Sequence, residues 1–220
     1  MSLDQILLID KPTGMTSFGV VARARRKLTT EAGHKVKTGH TGTLDPFATG
    51  LMLILTGKMT KQAEEYSKLD KTYEATIYLG ATSTTGDPEG EINQKKVDMI
   101  PTKKQAESAV KTFVGEIIQT PPIYSAIKID GQRAYKLARK GVEIEIPKRK
   151  VTIFSLELIS YSYPELKIRT HVSSGTYIRS LAVDIGRKLG TGAYVTELRR
   201  TRVGKYDIKD ALPLADYMSI

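Results

Sequence analysis

No cysteine occurs among the 220 residues. That excludes disulfides and thiolate chemistry and fits a reducing, cytoplasmic setting. Histidine is scarce: His34 and His40 are six apart and His171 is remote. With no thiolate to help them, and no cluster of carboxylates with ligand-like spacing, a metal site is not expected. No apolar run approaches the roughly 20 residues that a membrane span requires. The start, Met1-Ser2-Leu3-Asp4, lacks the basic opening and small-residue cleavage site of a secretory signal. Phosphate-cradling loops are missing as well. Gly39-x-x-Gly42 has no third glycine, and Gly-Lys-Ser/Thr is absent.

What the chain has in excess is positive charge. Thirty-four Lys and Arg face 24 Asp and Glu, a net charge of +10, and this points to a polyanionic partner. The cations cluster at 23–37, at 136–150 (Lys136, Arg139, Lys140, Lys148, Arg149, Lys150) and at 199–205. Three solvated faces would also account for them, but together they favour nucleic acid, read at the phosphate backbone.

The hydrophobic pattern predicts interspersed strands and helices without a regular βαβ period, hence one α+β domain over 1–220 with a mixed, mostly antiparallel sheet. Ile6–Ile9 and Leu51–Leu55 read as short buried strands. A helix opened by Ser17 carries Phe18, Val21, Ala24 and Leu28, and 29–50 reads as an ordered loop. A second helix is predicted over about 59–69. Tyr73, Ala75, Ile77 and Leu79 share one face of a strand, and a polar loop runs from Gly80 to Gly90. Thr102 and Gln105 form a capping box before a helix with Ala106, Ala109, Val110 and Phe113. Ile129 to Gln132 reads as a hairpin turn, followed by a basic helix ending at Gly141. Leu166, Ile168, Thr170 and Val172 alternate as a strand. Ile178, Leu181, Ala182, Ile185 and Leu189 form a helical stripe stopped by Gly190.

The most informative stretch is Gly39-His40-Thr41-Gly42-Thr43-Leu44-Asp45-Pro46-Phe47-Ala48-Thr49-Gly50. Pro46 disfavours helical geometry at Asp45 and holds it extended, so a carboxylate is fixed on a glycine-rich loop between two buried elements. Asp-Pro taken alone is far more often a turn than a site. The whole stretch, however, resembles the catalytic loop of the TruB family, the bacterial tRNA pseudouridine synthases. Further family-like segments follow in order over roughly 5–215. They are Asp10-Lys11-Pro12, Asp70-Lys71-Thr72-Tyr73, Gly86-Asp87-Pro88-Glu89-Gly90, Pro121 to Lys128, Ser174 to Arg179 and Tyr194 to Arg200.

The resemblance implies a pseudouridine synthase fold and an isomerase that converts uridine to pseudouridine in the T-loop of tRNA, at position 55. The target base would be flipped out, the glycosidic bond broken, and the base rejoined through C5, without metal or cofactor. It implies Asp45 as the catalytic carboxylate, Arg179 as its ion-pair partner, and Tyr73 as the residue stacking on the base. Tyr177 and Leu198 would line the pocket, and core packing is the competing reading for Leu198. His40 would fill the space that the base leaves. Lys11 and Lys128 would also bind substrate. Residues of about 121–148, with Tyr124, Lys128, Arg133, Lys136, Arg139 and Lys140, would form a thumb closing on RNA, with Pro121-Pro122 and Gly141 as hinges. The partner would be the tRNA T-stem-loop, with no membrane and no obligatory protein partner, and the chain would be a monomer. One departure is expected: Ile220 comes too soon for the C-terminal PUA domain of many relatives. A tRNA-folding chaperone and a guide-RNA-dependent subunit are competing readings. The intact Asp45, Tyr73 and Arg179 disfavour lost chemistry, and the bacterial spelling disfavours a guide-dependent subunit.

Overall fold

The computed structural model describes residues 3–219 except 126, 130, 140, 141 and 143, and leaves out the side chains of 128, 133, 135, 136 and 139. The chain forms two compact units, residues 1–74 with 198–220, and residues 75–197. Two strands, β4 and β12 below, each pass from one unit into the other.

The first unit begins with β1 (Ile6–Lys11), α1 (Ser17–Ala32), β2 (Thr38–His40) and β3 (Thr49–Thr56). A 3₁₀ stretch (Gly57–Gln62), α2 (Ala63–Ser67) and β4 (Lys71–Leu79) follow. Thr16, not Ser17, caps α1: its side chain accepts from the Gly19 N–H. Ser17 is turned inward as part of the buried stripe with Val20, Val21, Ala24 and Leu28, while Phe18 is 64% exposed. The expected stripe was therefore displaced at its start. Its true phase runs through Ser17 because that hydroxyl has internal partners. The expected loop 29–50 is shortened at both ends, by the last turn of α1 and by β3, and it contains β2. The expected helix over 59–69 divides into the 3₁₀ stretch and α2. Leu51, Leu53, Ile54 and Leu55 are at most 1% exposed, which is why β3 reads as a continuous apolar run.

In the second unit come β5 (Ala81–Ser83), β6 (Ile92–Gln94), α3 (Lys103–Lys111) and β7 (Gly115–Gln119). A small hairpin, β8 (Lys128–Ile129) with β9 (Gln132–Arg133), leads into α4 (Ala134–Arg139). Then follow β10 (Arg149–Ser162), β11 (Glu165–Val172), α5 (Ile178–Lys188) and β12 (Ala193–Val203). The loop expected at Gly80–Gly90 contains β5, which pairs with β6. The capping box is present, Thr102 Oγ accepting from the Gln105 N–H and Gln105 Oε1 from the Thr102 N–H, but Phe113 falls beyond the helix. In β11 the expected face, Leu166, Ile168, Thr170 and Val172, is buried, and the Thr170 hydroxyl donates to the Ser155 carbonyl. The α5 stripe is buried as its spacing predicts.

The chain then returns to the first unit with β13 (Tyr206–Asp207), β14 (Leu212–Pro213) and α6 (Leu214–Ser219). There the strand order is β14-β1-β3-β12. β1 and β2 pair antiparallel with β3, and β12 pairs parallel with it through Arg199–Thr49 and Arg200–Gly50. In the second unit β11 lies between β4 and β10, with β7 outside β10. The described strands thus make a mixed, mostly antiparallel α+β architecture flanked by helices. Leu51, Leu53 and Val203 form a buried cluster backed by Ile6, Leu8, Tyr66 and Tyr206. No helix among the described residues is long and apolar enough to cross a membrane.

Candidate active site

In the first unit the chemistry centres on the loop between β2 and β3. Asp45 is half-buried, and its carbonyl accepts from the Ala48 N–H at 3.2 Å, closing a turn. Each neighbour of Asp45 is fixed separately. Before it, the buried Ser17 hydroxyl accepts from the Leu44 N–H and donates to the Leu44 carbonyl, both at 2.8 Å. After it, the Pro46 carbonyl accepts from the Gly14 N–H at 2.9 Å and from the Lys11 ammonium at 3.1 Å. The Thr13 hydroxyl holds the Phe47 carbonyl at 3.0 Å. A side chain between two pinned peptide groups loses little further freedom when it engages a substrate, which is the geometric requirement for positioned acid–base or nucleophilic work.

Lys11 is fully buried. Burying an ammonium is costly unless its three N–H groups find acceptors. Here they donate to the carbonyls of Pro12 (2.9 Å), Met15 (2.7 Å) and Pro46. On the other side of the loop, Arg200 is 2% exposed, with Nε donating to the Leu51 carbonyl at 2.7 Å and Nη2 to that of Gly42 at 3.1 Å. Gly50 must be glycine: its φ is 109°, and a Cβ there would fall on the Arg200 backbone. Lys71 is also buried, its ammonium donating to the carbonyls of Ser67 (2.6 Å) and Leu69 (2.5 Å). Burial first, and then the charge of Arg200, push it down from 10.5 to about 8, against the pull of Asp70.

The other expected residues of this unit are also placed. Tyr73 is 8% exposed on β4, and Leu198 is 7% exposed on β12. His40 is half-buried at the end of β2, opposite Ile54. The basic group at 199–205 is open only in part, with Arg202 and Lys205 exposed. Arg199 grips Asp10 with two hydrogen bonds (2.6 and 3.2 Å), Arg200 is buried, and Arg202 pairs with Asp207 at 3.4 Å. The open cations of this unit include Lys35 and Lys37, which ring a cleft of about 320 Å³ together with Lys58 and Lys61.

In the second unit Arg179, 4% exposed, lies in the first turn of α5. Its Nη1 donates to Asp87 Oδ2 at 2.7 Å and to the Thr85 carbonyl at 3.0 Å, and Nη2 donates to the Tyr124 carbonyl at 2.9 Å. Asp87, 2% exposed, has its other oxygen occupied by the Thr85 hydroxyl (2.5 Å) and the Glu89 N–H (3.0 Å). The pair is thus buried, charged and hydrogen-bonded on both sides, the arrangement under which a buried ion pair is tolerated. Tyr177 is the N-cap residue of α5. Its N–H donates to Gln119 Oε1 at 2.8 Å, and its carbonyl accepts from Gln119 Nε2 at 3.0 Å. The Arg149 guanidinium lies 5.9 Å from the centre of its ring. A pocket of about 520 Å³ opens beside Arg179, with Thr85, Pro121 and Asp184 in its wall. Burial raises the Asp184 carboxyl above its ordinary range, partly opposed by Arg187.

The side chains of Lys128, Arg133, Lys136 and Arg139, and all of Lys140 and Gly141, lie outside the described residues. Of the expected thumb, the β8–β9 hairpin and α4 are described. Sequence reasoning did not find Ser17, Arg200, Asp87 or Gln119 as supports. Asp87 carried a signal, an acid in a Gly-Asp-Pro turn of a basic chain. A serine before an apolar stripe usually caps the helix, which masks the inward role of Ser17. Gln119 carried none.

The model of the TruB family pseudouridylate synthase N-terminal domain matches residues 25–178. That of the tRNA pseudouridylate synthase B C-terminal domain matches 179–219. A protein of Bacteroides fragilis named tRNA pseudouridine synthase B is 48% identical over 214 residues, covering 97% of this chain and 92% of its own length. One of the same name from Flavobacterium johnsoniae is 47% identical, covering 96% and 93%. Among solved structures, a chain of a Cbf5-Nop10-Gar1 complex superposes with a TM-score of 0.75 at 28% identity, over 99% of this chain. This chain spans 54% of that one.

Proposed function

The chain belongs to the TruB family of pseudouridylate synthases and is an isomerase acting on uridine in tRNA; we propose that its target is the T-loop uridine, position 55, and that Asp45 is the catalytic carboxylate. The observation that carries the assignment is the fixing of Leu44 and Pro46 on either side of Asp45 by Ser17, Gly14 and Lys11.

The net reaction breaks the bond between the ribose anomeric carbon and N1. It forms one from the same carbon to C5, and moves a proton from C5 to N1. Nothing is oxidised, so the chemistry requires no redox partner. A fixed carboxylate serves it either as nucleophile or as base for the proton that must leave. A uridine stacked in the T-loop has to be extruded first. Tyr73 is assigned to stack on the extruded base and His40 to occupy the space it vacates. Tyr177 and Leu198 are assigned to the pocket wall. Arg179, held by Asp87, supplies the cation of the site. RNA affinity is assigned to exposed cations, among them Lys35, Lys37, Lys58 and Lys61, acting on phosphates with a steep salt dependence. Lys128 and the thumb, a monomeric enzyme without an obligatory protein partner, and a cytoplasmic location complete the reading.

Asp45→Asn tests it. Amide and carboxylate have nearly the same shape, so single-turnover conversion of unmodified tRNA should vanish while filter-binding affinity stays within a few-fold. Conversion within tenfold of wild type would overturn the assignment.

A further inference from the structure

We propose that Arg200 is a positioning residue for the Asp45 loop, its guanidinium tying together the two ends of that loop at Gly42 and Leu51. The proposal rests on the assignment of Asp45 as the catalytic carboxylate. Three observations carry it. Nε and Nη2 of one rigid planar group reach carbonyls nine positions apart in the chain, at 2.7 Å and 3.1 Å. The fork therefore fixes the distance between them, which a lysine with its single terminal nitrogen cannot do. The loop is also shaped to admit this side chain. A Cβ on Gly42 would come within 3.3 Å of Arg200 Nη1, and Gly50 takes a φ of 109° where Arg200 pairs with it across β3 and β12. Finally, Arg200 is 2% exposed and donates to main-chain carbonyls of the loop and of β3. A guanidinium buried at this cost with neutral partners is not arranged to meet an RNA phosphate.

The neighbouring Lys71 reinforces the arrangement. Its Cε lies 4.0 Å from the same Cβ position at Gly42, and its ammonium is held by Ser67 and Leu69. Two cations thus sit against one turn of the loop. With Lys11 and Gly14 on Pro46 and Ser17 on Leu44, they leave the Asp45 backbone with little room to shift.

A positioning role has a signature distinct from an RNA contact or a general structural role: it affects the chemical step at saturating RNA and leaves affinity alone. The test uses the whole chain at a temperature where thermal unfolding shows each variant folded. Arg200→Lys and Gly42→Ala are compared with wild type and with Asp45→Asn in single-turnover pseudouridine formation and in filter binding. Arg200→Lys should lose roughly tenfold to a hundredfold in rate, since a displacement of about 1 Å at a catalytic group costs on that order, with Kd within threefold. Gly42→Ala should lose less, and the double variant should be no slower than Arg200→Lys alone, because both act on the same contact. Rates within threefold of wild type for both single variants, with Asp45→Asn inactive, would overturn the proposal. So would a loss that appears in Kd. If Arg200→Lys does not fold, a wild-type rate for Gly42→Ala overturns it alone. Activity in Asp45→Asn would instead refute the underlying assignment.

Discussion

Removing the acid beneath Arg179 should cost far more than one hydrogen bond. Asp87→Asn keeps the side-chain shape and an oxygen for the Thr85 hydroxyl and the Glu89 N–H. It replaces the oxygen that faces Arg179 Nη1 at 2.7 Å with an amide nitrogen, so a donor meets a donor. The guanidinium, 4% exposed, cannot turn to water. The carbonyls of Thr85 and Tyr124, which are neutral, are among the partners that remain to it. Breaking a buried pair from one side typically costs about 3–5 kcal/mol. For a chain of this length that lowers Tm by roughly 6–20 °C at about 2–4 °C per kcal/mol. Removing both charges with Asp87→Leu and Arg179→Met should recover part of the loss, leaving a coupling of about 2 kcal/mol or more in the double-mutant cycle. Urea denaturation of Asp87→Asn and of the four proteins of the cycle at pH 7 is the assay. A cost below about 1 kcal/mol for Asp87→Asn, or strict additivity, would show that Arg179 does not depend on Asp87 for its stabilisation.

Lys71 should give stability a pH dependence of known sign. Its folded pKa, about 8, lies below the ordinary 10.5. The penalty is complete below pH 8 and is relieved as pH rises towards 10.5, where the unfolded chain still holds the proton that the folded one has lost. Relative to Lys71→Met, wild type should therefore gain about 1–2 kcal/mol between pH 7 and pH 10, allowing for residual solvent screening. A pH-independent difference in denaturation would contradict this. Gly50→Ala should cost about 3 kcal/mol or more, since it adds backbone strain at positive φ to a collision with Arg200. Gly39→Ala, where a Cβ would meet nothing within 4 Å, should cost less than about 1 kcal/mol, both variants being measured by urea denaturation.

The elements legible in the sequence were those whose burial repeats without interruption. The α5 stripe, the β11 alternation and the β3 apolar run have one period and one environment along their length. β10 escaped notice because its register shifts between Ile153 and Ser155, and again between Leu158 and Ser160. Each slip moves its side chains out of phase, and no single period fits fourteen residues. Within the 199–205 group, the inward role of Arg199 and Arg200 is hidden for a related reason. Charge in a sequence looks exposed, and the partners of Arg199 and Arg200 include Asp10, Gly42 and Leu51, far away along the chain. At the candidate site, motif resemblance named residues such as Asp45 and Arg179. Ser17, Gln119 and Arg200 act instead on the main chain of Leu44, of Tyr177, and of Gly42 and Leu51, and no residue pattern displays such contacts.

The parallel pairing of Arg199 with Thr49 joins positions 150 residues apart. On a ribosome adding about 5–20 residues per second, roughly 8–30 s separate the synthesis of the Asp45 loop from that of the strand which ties its ends. During that interval Gly42 and Leu51 lack the guanidinium that bridges them, however well β1 and β3 have paired. The nascent chain would therefore carry the carboxylate long before it could present it, and the last major strand to emerge would also be the step that completes the loop.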